Sequence, residues 1–152
     1  MLSIGQSAPK LLGKDQNGHN IRVEDFAGKK LILFFYPKDN TPTCTKEACN
    51  FRDNYALLQS KGLAVVGVSI DGAKSHQKFI TKHSLPFPLI VDEDKEWVQA
   101  YGVWAEKQMF GRKYMGTKRT TFVLDEKGNI LHIISKVKSA EHTQQILTLL
   151  GL

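Results

Sequence analysis

The stretch from Leu31 to Ser60 constrains this chain more than any other. Leu31-Ile-Leu-Phe-Phe-Tyr36 is an unbroken apolar run of six residues, the length and character of a strand buried on both faces. Pro37 ends it, and Lys38-Asp-Asn-Thr-Pro-Thr43 is dominated by turn-forming residues. From Cys44 a helical pattern continues to about Ser60. A buried strand feeding a tight loop and then a helix is the building unit of an α/β domain. It places Cys44 in the first helical turn. Backbone N–H groups are unpaired there and the helix dipole is positive, which favours a thiolate over a thiol.

Both cysteines of the chain, Cys44 and Cys49, lie in this stretch. Stepping about 100° per residue along a helix puts Ala48, Phe51, Tyr55 and Leu58 within roughly 40° of Cys44. That apolar stripe is the face a helix packs on a sheet. Cys49 falls about 140° away, beside Arg52, Asp53 and Ala56. Cys44 therefore turns toward the domain and Cys49 largely away from it. The common fate of free cysteine is a buried, inert thiol; the helix start and the polar loop argue against that fate for Cys44. For Cys49 the residues alone leave an incidental thiol and a redox partner equally open. A zinc site gains no support, because there is no third cysteine and no histidine nearby in sequence.

The spacing Pro37-x3-Thr41-x2-Cys44 resembles the active-site motif of the peroxiredoxins, thiol peroxidases that reduce hydroperoxides. The longer run Phe35-Tyr-Pro-Lys-Asp-x-Thr-Pro-x-Cys-Thr45, with Cys49 following, is similar to the peroxiredoxin Q, or bacterioferritin comigratory protein, branch. Ile4-Gly5-x-x-Ala8-Pro9, Arg119-Thr-Thr-Phe122 and Asp125-x-x-Gly128 extend the resemblance over essentially the whole chain. One departure is visible: Thr43 stands where the family usually has glycine, and a β-branched residue narrows backbone freedom there.

The resemblance implies that Cys44 attacks a peroxide and becomes a sulfenic acid. Cys49 then resolves it as an intramolecular disulfide, and an external dithiol, thioredoxin in this family, restores both thiols. It implies that Arg119 supplies the positive charge, although spacing alone also fits a solvated arginine at a strand edge. Thr41 is implied to hold the peroxide and the sulfur, and Pro37, which lacks an N–H and fixes φ, to wall the pocket. No metal, haem, flavin or other cofactor is implied. Glu47, one turn after Cys44, reads as structural, part of a capping network.

Elsewhere the pattern is that of a single thioredoxin-like α/β domain spanning 1–152, with a central mixed sheet, flanking helices and an N-terminal hairpin extension. Asn17-Gly18 sits between short β-prone pieces and predicts the hairpin. Lys61-Gly62 stops the active-site helix, and Leu63–Ile70 is a second buried strand. Asp71-Gly72 breaks it, and Ser75 is placed to cap a short helix through Phe79 and Ile80. Leu85-Pro-Phe-Pro88 is extended chain leading to strand Leu89–Val91, and Asp92–Tyr101 reads as helical. Gly102–Lys118 is poorly patterned, a long loop or an irregular hairpin. Thr120–Leu124 and Ile130–Ile134 form an antiparallel pair, and Ser139 is placed to cap a final helix through Ile146, Leu147 and Leu150.

At 152 residues the chain can bury a substantial core. Met1–Gly5 shows no basic segment leading into an apolar one, no apolar run is long enough to span a membrane, and the two cysteines do not make a secreted disulfide framework. A monomer in the cytoplasm is the expectation. The net charge of +6 comes from scattered lysines and arginines, so a basic solvated surface is favoured over specific nucleic-acid binding. Two competing functions remain. A thiol–disulfide oxidoreductase of the same fold is disfavoured by the absence of Cys-x-x-Cys and of a proline before Thr120. A non-enzymatic basic binding or holdase protein would keep its activity without either cysteine.

Overall fold

The computed structural model describes residues 2–152; Met1, in the segment read above for a leader, lies outside them. The expected mixed sheet forms around β3 (Lys30–Phe35), which pairs in parallel with β4 (Leu63–Ser69) and antiparallel with β8 (Thr120–Leu124). Outward on one side lie β5 (Leu89–Val91), β1 (Leu11–Asp15) and β2 (Asn20–Arg22); on the other lies β9 (Ile130–Ile134). The order across seven strands is β2-β1-β5-β4-β3-β8-β9. The N-terminal hairpin thus extends the main sheet, through antiparallel pairing of β1 with β5. The opening Ile4–Ala8 segment is tied to the Asp125–Gly128 turn, with the Ala8 amide donating to the Gly128 carbonyl at 3.0 Å and Gly5 to Ile130 at 2.8 Å.

Alternation along β3 divides the core. Ile32, Phe34 and Tyr36 face one side together with Cys44, Ala48, Phe51, Leu58, Phe79 and Ile146. Leu31, Leu33 and Phe35 face the other with Val66, Val98, Tyr101 and Phe122. Period-two alternation in a strand covered on both faces reads as a continuous apolar run, which is why β3 and β4 were plain in the sequence. On the first face pack α1 (Pro42–Asp53), α2 (Tyr55–Ser60), α3 (Ala73–His83) and α5 (His142–Leu150); α4 (Glu96–Ala100) lies on the second. Gly67 leaves the space that Phe34 fills, since a Cβ there would sit 2.8 Å from the ring and 2.7 Å from Leu89.

Three expectations need correction, and of the two readings left open for 102–118 the hairpin is the one present, in regular form. The helix read through to Ser60 is two helices. Asn54 breaks it, with φ −108° and ψ 12°, and its side-chain amide donates to the Asn50 carbonyl at 2.8 Å, the local competition that makes asparagine a helix terminator. Ser75 does not cap α3, whose N-cap is Gly72; its hydroxyl reaches Asp39 instead, at 2.8 Å. Ser139 opens a 3-10 turn, Ser139–Glu141, and the first turn of α5 is satisfied from another element, the Thr143 amide donating to Asn50 Oδ1 at 2.8 Å. The segment before Lys118 is a regular antiparallel hairpin of β6 (Trp104–Met109) and β7 (Arg112–Thr117), paired from Trp104↔Thr117 to Met109↔Arg112. Its two turn residues, Phe110 and Gly111, have φ of 53° and 77°. That tight turn usually carries Asn or Gly first, so a phenylalanine there gave no turn signal.

Candidate active site

The chain leaves β3 at Phe35, runs through Tyr36 and the half-buried Pro37, and enters α1 at Pro42. Proline suits this first helical position because its missing N–H has no partner there anyway. Thr41 is the N-cap, yet its hydroxyl donates to the Lys38 carbonyl at 2.9 Å and makes no cap bond into the helix. Thr43 is exposed on the regular first turn. Cys44 is 1% exposed and Cys49 is half-buried, with both sulfurs unbridged. The inward turn of Cys44 read from the helical phase is therefore present, and Cys49 is less exposed than a fully outward residue.

Sheet register brings the distant arginine in. Phe35 pairs with Thr120, so the residue before Thr120 lies at the same sheet end as the loop and the start of α1. Arg119 fills that place, with one guanidinium nitrogen 3.2 Å from Cys44 Sγ and the other 2.7 Å from Glu47 Oε1. The solvated strand-edge alternative is excluded. Burial alone would lower the basicity of Arg119, but the Glu47 carboxylate and the Cys44 sulfur outweigh it and raise it above its ordinary value.

Glu47 belongs to this centre, which corrects its reading as a helix cap. It is fully buried, and burial pushes its carboxyl up to about 7, against the opposing pull of Arg119. Its second oxygen has no hydrogen-bond partner and faces His142 Nε2 at 3.5 Å. His142 Nδ1 lies 2.9 Å from Gln145 Oε1, and Nε2 lies 2.7 Å from the Thr121 hydroxyl. An amide oxygen only accepts, so Nδ1 carries the hydrogen and Nε2 takes the one from Thr121. Burial holds His142 down at about 4, so near neutrality it brings Glu47 no positive charge.

Lys107 on β6 is a second cation near the site. Burial and Arg119 lower it, and the Cys44 sulfur opposes them. Sequence spacing gave no hint of Lys107 or His142. Glu47 did carry a signal: one turn beyond Cys44, on the same helix, is where a carboxylate can share that residue's counter-ion.

A model of the AhpC/TSA family matches residues 4–133. This chain belongs to that family. It is a peroxiredoxin of the Bcp/PrxQ kind, and its relatives span its length. Peroxiredoxin Bcp of Bacillus subtilis is 42% identical over 146 residues, covering 96% of this chain and 93% of the relative. Peroxiredoxin Bcp of Escherichia coli K12 is 38% identical, covering 96% and 94%. Among solved structures, a variant of Xylella fastidiosa PrxQ superposes with a TM-score of 0.89 at 30% identity over 99% of this chain and 96% of the other. A Xanthomonas campestris bacterioferritin comigratory protein, studied for alkyl peroxide reduction, gives 0.83 at 35% identity, covering 91% and 88%. The thioredoxin-like peroxiredoxin fold expected from the motifs is therefore the fold of this chain. Among the described residues no helix is long and apolar enough to cross a membrane.

Proposed function

We infer that this peroxiredoxin reduces hydrogen peroxide and organic hydroperoxides with Cys44 as nucleophile and Cys49 as resolving thiol. The observation that carries the reading is the single guanidinium of Arg119 shared by Cys44 Sγ and Glu47, at 3.2 and 2.7 Å. A fixed positive charge beside the sulfur stabilises charge developing on the peroxide oxygens. The Cys44 thiolate attacks the terminal peroxide oxygen, the O–O bond breaks, and the leaving oxygen takes a proton to depart as water or alcohol. Cys44 is left as sulfenic acid. Thr41 Oγ1, already donating to Lys38, retains lone pairs for the peroxide hydroxyl. Pro37 presents no N–H to compete for it.

Cys49 thiolate then attacks the Cys44 sulfur and displaces hydroxide, which leaves as water once protonated. The 44–49 disulfide returns to two thiols by exchange with an external dithiol such as thioredoxin in the cytoplasm. Thioredoxin-supported peroxide consumption tests this. Cys44→Ser should abolish it with the fold retained. Cys49→Ser should permit one fast oxidation and then stall as sulfenic acid or over-oxidise. Undiminished cycling in either variant would refute the role given to that cysteine.

A further inference from the structure

Asp39, in the loop between Pro37 and Thr41, is 4% exposed and heavily bonded. Its Oδ1 accepts from the Tyr36 hydroxyl at 2.6 Å; its Oδ2 accepts from Ser75 Oγ at 2.8 Å and lies 2.6 Å from His76 Nδ1. The Asp39 amide donates to Asp71 Oδ2 at 2.8 Å, and that oxygen also accepts from the Ser69 hydroxyl at 2.6 Å. His76 is fully buried, and its Nε2 lies 2.8 Å from the Ile90 carbonyl. A carbonyl and a carboxylate both only accept, so each ring nitrogen faces an acceptor. Burial, then the neighbouring Asp39 carboxylate, pushes Tyr36 well above its ordinary value, so it remains a donor. The ring meets the Asp39 carboxylate, and the Asp71 carboxylate is held by the Asp39 amide and Ser69. They form a closed network and not an open cation site.

This network ties one loop residue to the ends of β3 and β4, to the first turn of α3 and, through His76, to β5. Immediately beyond it Asn40 takes φ 61°, a left-handed conformation in which the chain changes direction. On the far side of the reactive segment, Asn50 is tied to α5 through Thr143 and to the Ala140 carbonyl. Between these two moorings lies the stretch carrying both cysteines.

We propose that Asp39 and His76 are positioning residues that form the fixed post of the active-site loop. They hold Pro37 and Thr41 in place for the peroxide step and set the point beyond which the start of α1 opens for the disulfide step. The proposal rests on Cys44 being the nucleophile. It separates two rates that general destabilisation would move together. Without the post, the peroxide pocket loses its geometry, whereas Cys44 and Cys49 meet no later than before.

The test uses Asp39→Asn, His76→Gln and the milder Ser75→Ala, each made in the full chain. Sulfenic acid formation is timed in a Cys49→Ser background and disulfide closure with Cys49 present. Misplacement of reacting groups costs on the order of tenfold to a hundredfold, so Asp39→Asn and His76→Gln should slow sulfenic acid formation by at least about tenfold. Ser75→Ala should slow it by roughly twofold to fivefold, leaving two of the three side-chain contacts to Asp39. Disulfide closure should stay level or quicken in all three. Sulfenic acid formation unchanged, or both rates falling in parallel, overturns the proposal. If the first two variants fail to fold, Ser75→Ala alone decides by the same criterion. A parent that forms no sulfenic acid on Cys44 refutes the functional reading instead, which keeps the two failures distinct.

Discussion

At the scale of single residues, Cys44 and Arg119 lie 75 positions apart in the sequence and meet through sheet register. Arg119 is held on one side by the buried Glu47 and faces Cys44 on the other, so its charge is in place before peroxide arrives. Such preorganised donors cost no rearrangement during reaction, and removing one typically slows the chemical step about 10²–10³-fold. Arg119→Met should slow Cys44 oxidation by that order, measured as a second-order rate with hydrogen peroxide. An unchanged rate would place the catalytic charge elsewhere. The motif around Pro37, Thr41 and Cys44 was legible because all three sit within one loop and one helical turn. Glu47 was visible but misassigned: its polar surroundings, Arg119 and His142, come from the residue before β8 and from α5, and no local spacing announces partners so far along the chain.

At the scale of elements, closing a Cys44–Cys49 disulfide requires α1 to change shape. Residues five apart in an α-helix have Cα atoms about 8–9 Å apart, beyond the roughly 7 Å a disulfide tolerates. Their side chains also diverge by about 140°, a worse mismatch than the distance. Cys44 and Cys49 cannot bond while both remain helical. The first turn is poorly secured, because Thr41 spends its hydroxyl on Lys38 and provides no cap bond, which forgoes about 0.5–2 kcal/mol of helix stabilisation. Helix ends are where local unfolding costs least. In the disulfide form, amides from Thr45 to Arg52 should lose hydrogen-exchange protection while β3 keeps its own. A 44–49 bridge with protection unchanged would contradict the mechanism. The strands on either side of this helix were readable from apolar runs alone. The break at Asn54 and the β6–β7 hairpin were not, since one depends on a side chain competing for a backbone carbonyl and the other on a phenylalanine held at positive φ.

At the scale of the whole molecule, the buried polar centre leaves a mark on stability. Burial raises Glu47 from 4.5 to about 7, and burial lowers His142 from 6.5 to about 4. Between pH 4.5 and 7 the unfolded chain gives up the Glu47 proton more readily than the folded one, so this group's effect on stability falls as pH rises. Between pH 4 and 6.5 the unfolded chain binds a proton that folded His142 refuses, so its effect on stability rises with pH. The two slopes oppose. In His142→Asn only the Glu47 slope remains, and the Tm deficit relative to wild type should grow as pH goes from 4.5 to 6.5. A constant deficit would contradict a buried neutral His142. The fold itself was legible at this scale because β3, β4 and β8 carry their own apolar signatures, whereas the centre they assemble is a product of register. The central claim, that Cys44 is oxidised first and Cys49 closes on it, is tested most directly by intact mass and free-thiol count after one equivalent of peroxide is added to the reduced protein. Both thiols should be lost, with a mass lower by two hydrogens and a single disulfide between Cys44 and Cys49. Loss of one thiol with a stable gain of one oxygen would contradict it.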